Sequence, residues 1–157
     1  MDSEVKLIIE RAENEILVAE ILEKLSKENP NINSALNIPS GNTFYSSVIS
    51  HSYYSIFYGA KAYLSLKGNK IPEQGQHKAV YQKFKKLVKS GELDKELLII
   101  YEDAKLKAET LLSIFEDEGD KRATFTYKTL PQANMEPAHK SIENAKFFVS
   151  HIKNMLK

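Results

Sequence analysis

The chain has 157 residues, 42% hydrophobic and 27% charged, with a formal net charge of +1: enough for one domain with its own core and too few for two. A charge so close to zero excludes a global field drawing the protein to nucleic acid or acidic membranes, so any such partner must meet a local patch. The absence of cysteine excludes disulfides and thiolate metal sites.

The first residues, Met1-Asp2-Ser3-Glu4, are acidic where a secretory signal is basic. No apolar run reaches the length of a membrane span, so a cytoplasmic protein without membrane contact is expected. Ser3 stands as N-cap of a first helix reaching about residue 27. Val5, Ile8, Ala12, Ile16, Ala19 and Leu22 repeat there at three and four residues. Arg11, near this stripe and flanked by Glu10 and Glu13, reads as a surface arginine ion-paired with neighbouring turns. Lysines outnumber arginines 20 to 2, which singles out Arg11 and Arg122 as the only planar bidentate forks. Residues 27–42 contain Asn29-Pro30-Asn31 and Pro39-Ser40-Gly41-Asn42 and read as a loop, long for a compact bundle. Asn42 or Thr43 is placed to cap a second helix.

Residues 43–67 form the stretch around which the chain is organised. They hold no proline and one glycine, Gly59, and are apolar on several faces, the mark of a helix touched from several sides. Small residues, among them Ser52, Ser55, Gly59, Ala60 and Ala62, allow neighbouring backbones to come close. Gly68 at the C′ position and Pro72 end the helix. A third helix is predicted over 77–89, with Val80, Phe84, Leu87 and Val88 inward. Lys78, Lys85 and Lys89 lie almost opposite, the densest basic surface of the chain and its best place for phosphate contact.

Ser90-Gly91 interrupts, and a fourth helix over 94–117 turns Leu97, Tyr101, Ala104, Ala108, Leu111 and Phe115 inward. Leu97 to Ile100 alone would pass for a buried strand, but the periodicity on either side is helical. The helix ends on Glu116, Asp117 and Glu118, the wrong sign for that end of the dipole, with Lys121 and Arg122 as local compensation. These acids lack calcium-loop spacing and histidine support, so no metal is expected, and no cofactor. Residues 119–135 form a second loop. The last helix, 136–157, aligns Ala138, Ile142, Ala145, Val149, Ile152 and Leu156; Phe147 and Phe148 widen its apolar face, which suggests a dimer. The expected fold is an all-α, single-domain, largely up-and-down bundle of about five helices spanning residues 1–157.

Several segments resemble HEPN domains of the small prokaryotic branch. Tyr53-Tyr54, Ile56, Phe57, Ala60, Ala62 and Leu64 resemble the pattern of that family's second helix. His77, Val80 and Phe84 resemble a histidine followed by a spaced hydrophobic residue and phenylalanine. Ala145, Phe148 and Val149 resemble the pattern of its last helix. The family's ribonucleases carry an arginine, four to six residues and a histidine, two copies meeting across a homodimer. Imidazole can move a proton at a ribose hydroxyl while guanidinium holds the phosphate.

The matching segment here reads Arg122-Ala123-Thr124-Phe125-Thr126-Tyr127, with tyrosine in the histidine's place, and Arg11 has no histidine within such a window either. A phenol with its usual pKa of about 10 donates a proton but rarely accepts one near neutrality. The resemblance therefore implies a homodimer that binds a nucleotide or RNA, or a minimal nucleotidyltransferase partner, in a toxin–antitoxin or defence-like system. Arg122, Tyr127, Lys78, Lys85 and Lys89 are the binding residues, without ribonuclease activity. The alternative is a metal-independent endoribonuclease using Arg122 with His77 or Tyr127. Tyr127 and Asp117 are the expected partners of a half-buried Arg122.

Overall fold

Six α-helices form among the residues described by the computed structural model, 2–27, 30–112 and 134–157. They are α1 (Ser3–Ser26), α2 (Pro30–Ala35), α3 (Tyr45–Leu66), α4 (Gln76–Lys89), α5 (Lys95–Leu112) and α6 (Met135–Met155). The all-α expectation holds, and no strand occurs among these residues; 97–100 lie inside α5.

The helix count is corrected from about five by α2, a six-residue helix in the segment expected to be loop. The turn-forming residues there punctuate a short helix rather than exclude one. Pro30 takes the first helical position, where a missing N–H costs nothing. Asn37, at φ 57°, closes the other end. Its N–H bonds to the Ser34 carbonyl at 3.2 Å and that of Ile38 to Asn33 at 2.8 Å, the paired bonds of a left-handed helix stop.

The same device ends α4 at Gly91 (φ 84°), where Gly91 N bonds to Val88 O and Glu92 N to Leu87 O. It also ends α3 at Gly68. Helix starts depart more from expectation. Asp2, not Ser3, caps α1 by accepting from the Glu4 N–H. Neither Asn42 nor Thr43 caps α3. Instead the Ser26 hydroxyl, at the end of α1, accepts the Phe44 N–H at 2.7 Å while donating to the Leu22 carbonyl. One side chain thus ties the end of α1 to the start of α3.

Helix α3 is the centre of the bundle, packing against α1, α4, α5 and α6. Val48, Ile49, Tyr53, Ile56, Ala60 and Leu64 are buried around its circumference. Against it stand Val80 and Phe84 of α4, Leu97 and Tyr101 of α5, and Ala145, Phe148 and Ile152 of α6. Each fully buried Phe contributes about 1.5–3 kcal/mol of transfer free energy. At Gly59 α6 packs closely on α3: a Cβ there would stand 3.4 Å from the Phe148 ring. A smaller cluster of Ala19, Tyr45, Val48, Ile49, Ala138 and Ile142 joins α1, α3 and α6. The apolar stripe read for the last helix is buried throughout, whereas Phe147, unlike Phe148, is 44% exposed. No described helix is long and apolar enough to cross a membrane.

Candidate functional site

Of the residues singled out by sequence, Arg122 and Tyr127 lie outside the described residues. So do Ala123, Thr126 and the acids at 116–120, and with them the expected pairing of Arg122 to Asp117 or Tyr127. His77, Lys78, Lys85 and Lys89 are brought together on α4.

Gly75, in a left-handed conformation, turns the chain into α4 and sets His77 in its first turn, facing α3. The imidazole stacks on Phe57 (centroids 4.2 Å apart, planes 18° apart) and on Tyr53, and meets Tyr54 edge-on at 6.0 Å. Its Nδ1 lies 2.8 Å from the Tyr53 hydroxyl. Lys61 stands nearby, donating to Gln76 Oε1. Burial, reinforced by the Lys61 charge, lowers the His77 pKa below its usual 6.5. Burial also drives the Tyr53 phenol well above its ordinary range. The pair is therefore neutral at neutral pH. It joins the start of α4 to the middle of α3, side chain to side chain, and leaves His77 a poor cation for holding phosphate.

Charge for that purpose comes from the lysines. Helix α4 carries Lys78, Lys83, Lys85, Lys86 and Lys89 and no acidic residue. Lys78 and Lys89 are exposed, and half-buried Lys85 lies 5.7 Å above the Tyr81 ring. No ion pair reaches any of these five ammonium groups among the described residues, although Lys27, Lys67, Lys105, Lys107, Lys146 and Lys153 are all paired. Lys105 of α5 sits 5.0 Å from the same Tyr81 ring. Burial, then Glu102, pushes the Tyr81 phenol up to about 12. Tyr81, Glu102, Lys105 and Glu109 line a shallow groove of about 340 Å³ between α4 and α5. Its carboxylates disfavour anions in the groove itself, and the positive charge outside it, Lys78 and Lys89 among it, has no ion-pair partner among the described residues.

A second constellation escaped the sequence reading. Helix α1 buries two glutamates, Glu15 (4% exposed) and Glu23 (9%), each holding a histidine from another helix. Glu23 Oε2 lies 2.9 Å from His139 Nδ1 of α6, with Lys27 at 3.8 Å from its other oxygen. Glu15 Oε1 accepts from Arg11 Nε at 2.9 Å, and its Oε2 lies 2.5 Å from His51 Nδ1 of α3. The Arg11 guanidinium also lies 5.3 Å over the Tyr58 ring. Arg11 does pair with a neighbouring turn, as expected. It is also brought by folding beside a histidine 40 positions away in sequence, which no local window contains. A signal was present: Glu15 and Glu23 continue the three-four spacing of Ala12, Ala19 and Ser26, so two carboxylates stand on the buried stripe. A buried carboxylate requires charged or hydrogen-bonding partners.

Among the described residues no group of three or more histidine, aspartate or glutamate side chains is arranged to hold a metal ion. Comparison of the chain with family models, with curated proteins and with solved structures gives no match.

Proposed function

We propose that the chain is a HEPN-type homodimeric binding module that holds RNA or a nucleotide through α4 and works beside a minimal nucleotidyltransferase in a toxin–antitoxin or defence-like system, without ribonuclease activity. One observation carries the binding part: five lysines and no acid on one helix, all five outside any ion pair among the described residues. Lysines held in salt bridges are already neutralised. These five are not, and phosphate is the abundant ligand that would neutralise them. The homodimer and the nucleotidyltransferase rest on the sequence resemblance. The exposed Phe147 of α6 and the exposed Leu17 and Ile21 of α1 are consistent with the homodimer.

The absence of cleavage rests on the tyrosine at position 127 and on the state of His77. An imidazole stacked between helices, hydrogen-bonded to a phenol and kept neutral by burial is engaged in holding α4 to α3.

Binding of a single-stranded RNA is measured as a function of salt. Lys78, Lys85 and Lys89 acting together should give a log–log slope of about −2, and their triple replacement by glutamine should remove most of it. No binding at low salt ends the RNA and nucleotide reading and leaves docking to a protein partner. RNA cleavage in EDTA, abolished by Arg122→Ala, would establish the endoribonuclease instead.

A further inference from the structure

Glu15 is a carboxylate with almost no solvent contact, yet the two groups it holds both reach the surface. The Glu15 side chain is 5% exposed, that of His51 32% and that of Arg11 57%. An ionised carboxylate only accepts hydrogen bonds, so the proton facing it sits on His51 Nδ1. That fixes the tautomer of the neutral ring and leaves Nε2 without a hydrogen-bond partner among the described residues. On the other oxygen, Arg11 spends Nε and Nη2, both at 2.9 Å, and its Nη1 donors have no partner among the described residues. The Tyr58 ring lies under the guanidinium, and Tyr54 meets His51 edge-on at 6.4 Å. One buried carboxylate therefore pre-positions an imidazole nitrogen and a guanidinium edge at the junction of α1 and α3.

We propose that Arg11 and His51, positioned by Glu15, form a binding site for the terminal phosphate of a small phosphomonoester. The chemistry matches in either protonation state. Neutral His51 Nε2 accepts from the P–OH of the monoanion, the imidazolium donates to the dianion, and one proton serves the contact in both cases. Arg11 supplies the charge-assisted N–H bonds to a second phosphate oxygen. The neighbouring acids set the size of the ligand. Glu10, exposed beside Arg11 on α1, opposes an extended polyanion, so a compact monoester fits better than a nucleic-acid strand. The proposal uses none of the α4 lysines and does not rest on the proposed RNA binding.

The four histidines of the chain give the test its internal control. Imidazole nitrogen–proton correlation spectra of the ¹⁵N-labelled protein are recorded during titration with inorganic phosphate, with sodium chloride matching ionic strength. The expected result is a saturable shift of the His51 resonances while those of His139 and His151, also paired with carboxylates, stay in place. Arg11→Gln, a change on an exposed side chain, should weaken the phosphate affinity about tenfold or more, the loss of a charge-assisted hydrogen bond. Glu15→Gln should do the same by releasing both groups. Replacing Lys78, Lys85 and Lys89 should leave the His51 shift unchanged, which separates this site from the α4 surface. A His51 signal that does not move, or one that moves together with His139 and His151, overturns the proposal.

Discussion

At His77 burial acts more strongly than any neighbouring charge, and the direction of its pKa shift makes the pH dependence of stability readable. The folded value lies below the usual 6.5, so the folded state prefers the neutral ring. Above about 6.5 neither state binds the proton and the contribution is fully present. As the pH falls the unfolded chain is protonated first, and stability is lost through the folded value. Urea midpoints at about pH 7.5 and about pH 5 should therefore differ more in the wild type than in His77→Gln. Two buried tyrosines behave oppositely. Tyr53 is fully buried with its hydroxyl on His77, and Tyr53→Phe should cost about 1 kcal/mol in denaturant unfolding. Tyr101 is equally buried, but its hydroxyl has no hydrogen-bond partner among the described residues. Removing that unpaired group in Tyr101→Phe should be neutral or stabilise by about 1 kcal/mol. A loss above that size in Tyr101→Phe would show the hydroxyl to be satisfied.

Among the elements, α3 meets α6 closely at Gly59. A methyl group there meets the Phe148 ring at 3.4 Å and Val149 Cγ2 at 3.5 Å, ordinary contact distances, so alanine fits and brings better helix propensity. Gly59→Ala should leave stability unchanged or raise it by up to about 1 kcal/mol. Gly59→Val has to displace α6 and should cost about 1–3 kcal/mol, measured as the same urea midpoint. Gly91 has open space around it, so sterics with neighbours do not matter. Its φ of 84° does, and Gly91→Ala should cost about 1–2 kcal/mol through the left-handed stop of α4 alone. Two glycines of one bundle thus matter for different reasons, one for a close approach and one for a backbone angle.

For the whole molecule, the proposed homodimer makes the largest claim. Glu13, Phe147, Lys146 and Lys153 line an open groove of about 730 Å³ between α1 and α6. The Glu20–Lys146 and Glu13–Lys153 bridges span the two helices, while Leu17, Ile21 and Phe147 remain exposed beside them. If this face covers a second copy, sedimentation at micromolar concentration should give about twice the 17.9 kDa of the chain, and Phe147→Glu should return it to monomer without lowering the urea midpoint. A single monomeric species for the wild type would remove the homodimer from the proposed function.

The sequence by itself determined the helical class, the central place of α3 and the inner faces of α1, α4 and α6. Each of these is a matter of periodicity, which depends on the residues of one element alone. It also determined the stops at Gly68 and Gly91, because a left-handed residue is a local requirement. The short α2, in a segment read as loop, was missed although its makers are local, Pro30 at its first position and Asn37 at its stop, and none of its residues is buried. Only the tertiary structure gave the bond that ties the start of α3 to Ser26, 18 residues upstream. Lys78, Lys85 and Lys89 were legible as a row because they share one helix. Which of them stay unpaired was not, since a salt bridge needs a partner from elsewhere in space. Arg11 and His51 make the same point most clearly: one buried carboxylate joins side chains from α1 and α3, and no linear spacing records a meeting that packing alone creates.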